Sequence, residues 1–206
     1  MRKNRDFTPG TAYHVTSRTN DKTRVFSRYL GQKIMLLTLQ AAKDKYRFKL
    51  HNFCIMPTHI HLLITPADGT DLSRIMQWIK TNSAKYWNRV HGSTDHLWGS
   101  RFFARPAKDL WDYFFIHNYI DQNPVKAGLS SCPARYRPSG AYQIAHNLSG
   151  LVDYTHLDRQ AYIKYLPPPK KCNLQNVIDT FTRRPTSPYR VCFRFCPPVF
   201  PAPQAG

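Results

Sequence analysis

His59 and His61 stand two apart inside Ile55-Met56-Pro57-Thr58-His59-Ile60-His61-Leu62-Leu63-Ile64, a run that reads as a strand. Side chains two apart on a strand point to the same face, so both imidazoles project together while Ile60 turns into the core. Two neutral imidazoles side by side can ligate a divalent metal. Downstream, Tyr119 and Asn123 are four apart in a helical stretch and share a face. A metal-binding pair, a phenol and an amide oxygen are the parts needed to cut a phosphodiester through a phosphotyrosine. No single feature is specific, because the chain has 9 His and 12 Tyr. A His-x-His also fits two ordinary strand residues, and a lone Tyr fits a helix packed on a sheet. Asn123 reads equally as a helix C-terminal residue, since Pro124 disfavours helical backbone before it. The combination carries the chemistry.

The elements that must hold these groups follow from periodicity. Residues 12–18 alternate and read as the first strand. Residues 26–45 have helical spacing, with Ile34, Leu37 and Ala41 on one face. Residues 47–56 and 58–65 read as strands joined by a turn at Pro57-Thr58, a natural hairpin. Asp71 looks like the cap of a helix over 72–90, which His91-Gly92-Ser93 breaks. Residues 97–107 read as a fourth strand and 109–122 as a third helix. This order suits an α+β fold, an antiparallel sheet with helices packed on one face. Residues 1–130 form the principal domain and 131–166 an extension of it, with a short helix candidate at 158–165. From Pro167 the chain becomes a Pro-rich basic tail, 167–206, extended or ordered on DNA.

The bulk composition narrows the partners. The 206 residues carry a net charge of +18, from 30 Lys and Arg against 12 acids, and 42% of them are hydrophobic. Such an excess points to a polyanion, and to nucleic acid rather than membrane, because no basic amphipathic helix with a continuous apolar face stands out. Arg2, Lys3, Arg5, Arg18, Lys80, Lys85 and Arg89, then Lys170, Lys171, Arg183 and Arg184 in the tail, are candidate DNA contacts. Stacking of aromatic side chains on unpaired bases would supplement them. Trp78 and Trp87 read as core or half-buried rather than as stacking platforms.

Every acid is Asp, which removes mechanisms needing a Glu base, zinc deaminases and zincin-type hydrolases among them. Asp68, Asp71, Asp109 and Asp112 fall at expected helix starts, where capping accounts for them. Five cysteines without a Cys-x-x-Cys pair read as reduced thiols of a cytoplasmic protein. The basic start is not followed by an apolar stretch, so no signal peptide is expected, and no apolar run approaches membrane-spanning length.

Met56-Pro57-Thr58-His59-Ile60-His61-Leu62-Leu63-Ile64 resembles the histidine–hydrophobic–histidine (HUH) motif of single-tyrosine transposases. Tyr119-Ile120-Asp121-Gln122-Asn123-Pro124-Val125-Lys126-Ala127-Gly128-Leu129 resembles their tyrosine helix. Gly10-Thr11-Ala12-Tyr13-His14-Val15-Thr16-Ser17-Arg18 and Leu97-Trp98-Gly99-Ser100-Arg101-Phe102-Phe103 are similar to the same family, in the branch called REP-associated tyrosine transposases. Thr58 departs from the Asn or Asp common there, in a turn expected not to touch the ligands.

The resemblance implies a ferredoxin-like antiparallel sheet with the histidines on a central strand. It implies cutting and rejoining of single-stranded, hairpin DNA by a cytoplasmic, nucleoid-associated bacterial enzyme working as monomer or homodimer. Tyr119 is then the nucleophile. A phenol ionises near pH 10 and is mostly protonated at neutral pH, so a nearby cation assists it. His59, His61 and Asn123 are the expected ligands of Mg2+ or Mn2+, with imidazoles leaning toward Mn2+. Other readings stay open: a non-catalytic DNA-binding protein that kept the fold, and a rolling-circle-type replication initiator. A phosphoesterase on His14-Val15-Thr16 and His91-Gly92-Ser93 fits less well, because the second triplet sits in a turn.

Overall fold

The structure, a computed structural model, describes residues 7–153 apart from 147 and 149. Strand β1 (Tyr13–Arg18) leads through two short 3-10 turns into helix α1 (Tyr29–Lys45). Strands β2 (Phe48–Met56) and β3 (His59–Pro66) form the expected hairpin around Pro57-Thr58. Helix α2 (Leu72–His91), strand β4 (Phe103–Pro106) and helix α3 (Leu110–Lys126) follow, and α4 (Gly140–Ala145) is the last helix among the described residues. The sheet is antiparallel in the order β2-β3-β1-β4. With β1-α1-β2-β3-α2-β4 as the sequence order, this is the split βαβ arrangement of ferredoxin-like folds. Strand β3 lies inside the sheet, between β2 and β1.

Local chemistry sets the helix ends. The Asp71 carboxylate accepts the Ser73 N–H at 2.7 Å, and Asp109 accepts that of Asp112 at 2.7 Å, two N-caps read correctly from sequence. Gly92 ends α2 at φ +60°, a left-handed conformation glycine adopts without strain. Asp112 also serves the helix start, where its carboxylate accepts the Lys108 N–H at 3.0 Å. Its carboxylate takes a bidentate ion pair from Arg105, at 2.7 and 3.0 Å.

One sheet face carries the main core. Val15, Leu50, Phe53, Ile55, Ile60, Leu62 and Ile64 pack there, with Met35, Leu39 and Ala42 of α1 and Leu72, Ile75, Met76 and Ile79 of α2. Trp78 and Trp87 are half-buried at its edge, as expected. Helix α3 departs from the expectation that the helices share one face. Its Ile116 and Ile120 pack with Cys54, Met56 and Leu63 on the opposite side. The reason is legible in β3, which is apolar at Ile60, Leu62 and Ile64 but also at Leu63; a strand buried on both faces needs cover on both.

Strand β2 reaches this second face through a bulge. The register shifts between Leu50 and Asn52, so Leu50 and Phe53 share one face while Asn52, Cys54 and Met56 turn toward α3. Gly140 approaches the same place, where any Cβ would strike the Asn52 amide oxygen. Three boundaries differ from the sequence reading. Helix α1 starts at Tyr29, because Phe26 falls in a 3-10 turn before it. The fourth strand spans only Phe103–Pro106, with an isolated bridge between Thr19 and Trp98 before it. Helix α3 continues past Gln122 and through Pro124, whose missing N–H is offset by burial of its ring. No helix among the described residues is long and apolar enough to cross a membrane. The helix candidate at 158–165 and the tail 167–206 lie outside the described residues.

Candidate active site

Cross-strand pairing assembles the site. Thr16 stands opposite His61 and Arg18 opposite His59, while His14 stands opposite Leu63 on one side and Arg105 on the other. Directly opposed residues share a face. His14, Arg18, His59, His61 and Arg105 therefore all lie on the side covered by α3, and Ile60 turns into the main core as expected. The His59 and His61 rings meet edge-on with centroids 4.9 Å apart.

Tyr119 reaches the same spot from α3. Its ring lies 5.8 Å from that of His61 and 5.7 Å from that of His14, and it keeps 37% of its surface exposed. The Lys126 ammonium stands 5.3 Å from the Tyr119 ring. Beside it an open groove of about 170 Å3 is lined by His14, Arg105, Phe115, Ile116 and Tyr119. The helix rotation that aims Tyr119 is fixed from below. Asn52 donates to the Asp121 carboxylate at 2.7 Å and to the His117 carbonyl at 3.2 Å. His117 Nδ1 lies 3.3 Å from the second Asp121 oxygen, within ion-pair range though not aligned as a hydrogen bond. All three side chains are buried.

The histidines are held neutral. Burial lowers the His61 pKa to about 3, helped by the neighbouring His14, His59 and Arg18 charges. Burial and the Arg105 charge lower that of His14 to about 4, against an opposing pull from Asp112. His59 is lowered too, by burial first and Arg18 second. At neutral pH all three rings are free bases with a lone pair to offer.

Their hydrogen bonds are asymmetric. His61 Nδ1 lies 3.0 Å from His14 Nε2, while His61 Nε2 is buried without a partner. His59 Nδ1 lies 3.0 Å from the Thr58 hydroxyl. Thr58 was expected not to touch the ligands; the turn folds its side chain back onto His59, which sequence distance alone does not reveal. Asn123 is half-buried one turn beyond Tyr119 and donates through Nδ2 to the Tyr119 carbonyl at 2.8 Å. That bond stays within the helix and leaves Oδ1 outside it.

The other candidates disperse. Arg18 joins the site. Lys80 lies on α2, across the sheet, with Nζ bonded to the Ser100 carbonyl at 2.8 Å and 5.8 Å from the Trp98 ring. Lys85 and Arg89 are exposed on the same helix. Arg2, Lys3, Arg5, Lys170, Lys171, Arg183 and Arg184 lie outside the described residues. Sequence reading missed His14 as a neighbour of the pair, and it missed Arg105. It also missed Trp111 and Phe115, four residues apart on the stripe that ends at Tyr119 and 44% and 53% exposed. Two exposed aromatics at helical spacing just before the tyrosine were the available signal.

Paired histidines on an inner strand of a ferredoxin-like sheet thus meet a tyrosine from the helix above them. The chain belongs to the family described as Transposase IS200 like, whose model matches residues 8–123. It is similar to a putative REP-associated tyrosine transposase of Haemophilus influenzae, 28% identical over 135 residues, 60% of this chain and 76% of the relative. Among solved structures it resembles a REP-associated tyrosine transposase bound to a REP hairpin. The TM-score is 0.60 at 20% identity, over 75% of this chain and 91% of that one, a likeness of fold.

Proposed function

We propose that this transposase cuts and rejoins single-stranded DNA at hairpin, REP-like palindromic sites, with Tyr119 as nucleophile. The meeting of Tyr119 from α3 with His61 from β3 and His14 from β1 carries this reading. The names of the relative and of the hairpin-bound structural neighbour support the substrate class.

The donors present suit a divalent cation, Mg2+ or Mn2+. His61 Nε2 is buried with no partner, an arrangement that otherwise costs about 1–3 kcal/mol, and the imidazoles are neutral. His59, His61 and the Asn123 amide oxygen would hold the ion. Among the described residues no cluster of three His, Cys or Asp competes for it. When bound, the cation would neutralise the scissile phosphate and stabilise charge on its equatorial oxygens.

The chain's own residues do the rest. The Tyr119 oxygen bonds to phosphorus as the bond from phosphorus to the 3′ oxygen breaks, giving a 5′-phosphotyrosine and a 3′-hydroxyl, with the proton lost by the phenol taken up by the 3′ oxygen. Reversal rejoins the strand, since the new ester conserves the energy of the old one. Asp112 uses two of the Arg105 N–H groups and fixes the guanidinium at the groove edge, where its other donors face an incoming phosphate. Arg18 and Lys126 add positive charge around Tyr119. Trp111 and Phe115 offer faces on which unpaired bases stack, with about 6 Å between rungs along the helix.

Tyr119→Phe is the test, using labelled hairpins and Mn2+. Covalent protein–DNA adducts should disappear while hairpin binding persists. Adducts that survive the substitution remove Tyr119 from the mechanism. A wild-type chain that binds hairpins but never forms adducts leaves a DNA-binding protein that kept the fold.

A further inference from the structure

His14 is half-buried beside the site and has been given no chemical role above. Its Nε2 lies 3.0 Å from His61 Nδ1, and the two rings stack at 5.2 Å with planes 19° apart. One hydrogen lies between these nitrogens, so one neutral ring donates and the other accepts. Were His14 the donor, His61 would carry its own hydrogen on Nε2, as a buried N–H with no acceptor. Orphaned donors of that kind are rarer and costlier than orphaned acceptors. With His61 as donor, Nε2 instead becomes a bare lone pair. Thr58 makes a parallel contact at His59, again at Nδ1 and again at 3.0 Å. Both histidines of the pair are thus engaged at Nδ1 by the chain itself, which leaves Nε2 of each for coordination.

We propose that His14 is a positioning residue: it accepts the Nδ1–H of His61 and locks that ring in the tautomer and orientation that turn Nε2 to the cation, while Thr58 steadies His59 in the same way. This inference rests on the metal-ligand reading of His61. Ligating histidines generally donate their other N–H to such an outer partner, and loss of the partner costs roughly 10–100-fold in metal affinity. Sequence separation hides the arrangement, because His14 and His61 meet only through the β1–β3 register.

Mn2+ binding to the full-length protein, followed by the EPR signal of the free ion, tests the proposal without DNA or turnover. His14→Phe keeps a stacked ring but no acceptor, and affinity should fall roughly 10–100-fold. His14→Gln restores an acceptor oxygen and should recover most of it, which a merely space-filling role would not predict. A His14→Phe affinity equal to wild type, with His61→Ala clearly weakened, overturns the proposal and leaves the ligand assignment standing. Unchanged Mn2+ binding in His61→Ala overturns both. Should His14→Phe fail to fold, the wild-type imidazole 15N spectrum still decides: hydrogen on His61 Nδ1 is expected, and hydrogen on Nε2 refutes the assignment.

Discussion

Against α1 and α2 the sheet presents Val15, Leu50, Ile60, Leu62 and Ile64, all fully buried and apolar. Against α3 it presents His14, Asn52, His59, His61 and Arg105, with Cys54, Met56 and Leu63 as buried apolar cover. Alternate residues of β3 serve the two sides. On the first side stability comes from area removed from water and needs no particular partner. On the second each polar group needs a named partner: Asn52 has Asp121, Arg105 has Asp112, and His14 has His61. His61 Nε2 is buried on this side without a partner. Steadiness and chemistry are set back to back across a single strand.

Substitutions one residue apart should separate the two sides most sharply. Leu62→Ala opens a cavity in the main core and should cost about 2–5 kcal/mol in urea unfolding. His61→Ala should cost much less in the same assay yet lose adduct formation. If His61→Ala destabilises as strongly as Leu62→Ala, the division between the faces is wrong.

Acid should act on the α3 side. His14 and His61 have folded pKa values of about 4 and about 3, below the ordinary 6.5. The unfolded chain therefore binds more protons between those values. The stability they contribute is complete above pH 6.5 and is lost as the pH falls toward 4. Thermal melts of metal-free protein should show a loss on the order of 2 kcal/mol per histidine between pH 7 and 5. His61→Phe should flatten that slope; an unchanged slope would assign the acid sensitivity elsewhere.

The smallest effect belongs to the exposed stripe. Phe115→Ala should leave the melting temperature in place while weakening hairpin binding by about 1–3 kcal/mol. Placing an abasic residue at the contacted position should abolish the difference between wild type and variant. Equal losses on intact and abasic DNA would mean that Phe115 does not stack on a base.

Much of this was legible before any coordinates. Alternation in β3 gave its two faces, the hairpin followed from Pro57-Thr58, and Asp71 and Asp109 marked helix starts. The side chosen by α3 was not legible, because helical periodicity says which residues are buried but not against which sheet face. Pro124 misled because local backbone preference ends a helix there, whereas burial of the ring carries α3 onward. The backbone contact of Asp112 was legible, but its ion pair with Arg105 was not, because Arg105 sits before the helix.

The order of residues by itself determined the strand that carries His59 and His61, the helix that carries Tyr119 and the positive charge that suits DNA. These are local or additive properties, fixed by spacing and composition. Only the tertiary structure decided that Tyr119 meets His61, that His14 meets His61 and that Arg105 edges the groove. Those contacts depend on strand register and on which face a helix covers, and both are settled by packing between segments far apart in the chain.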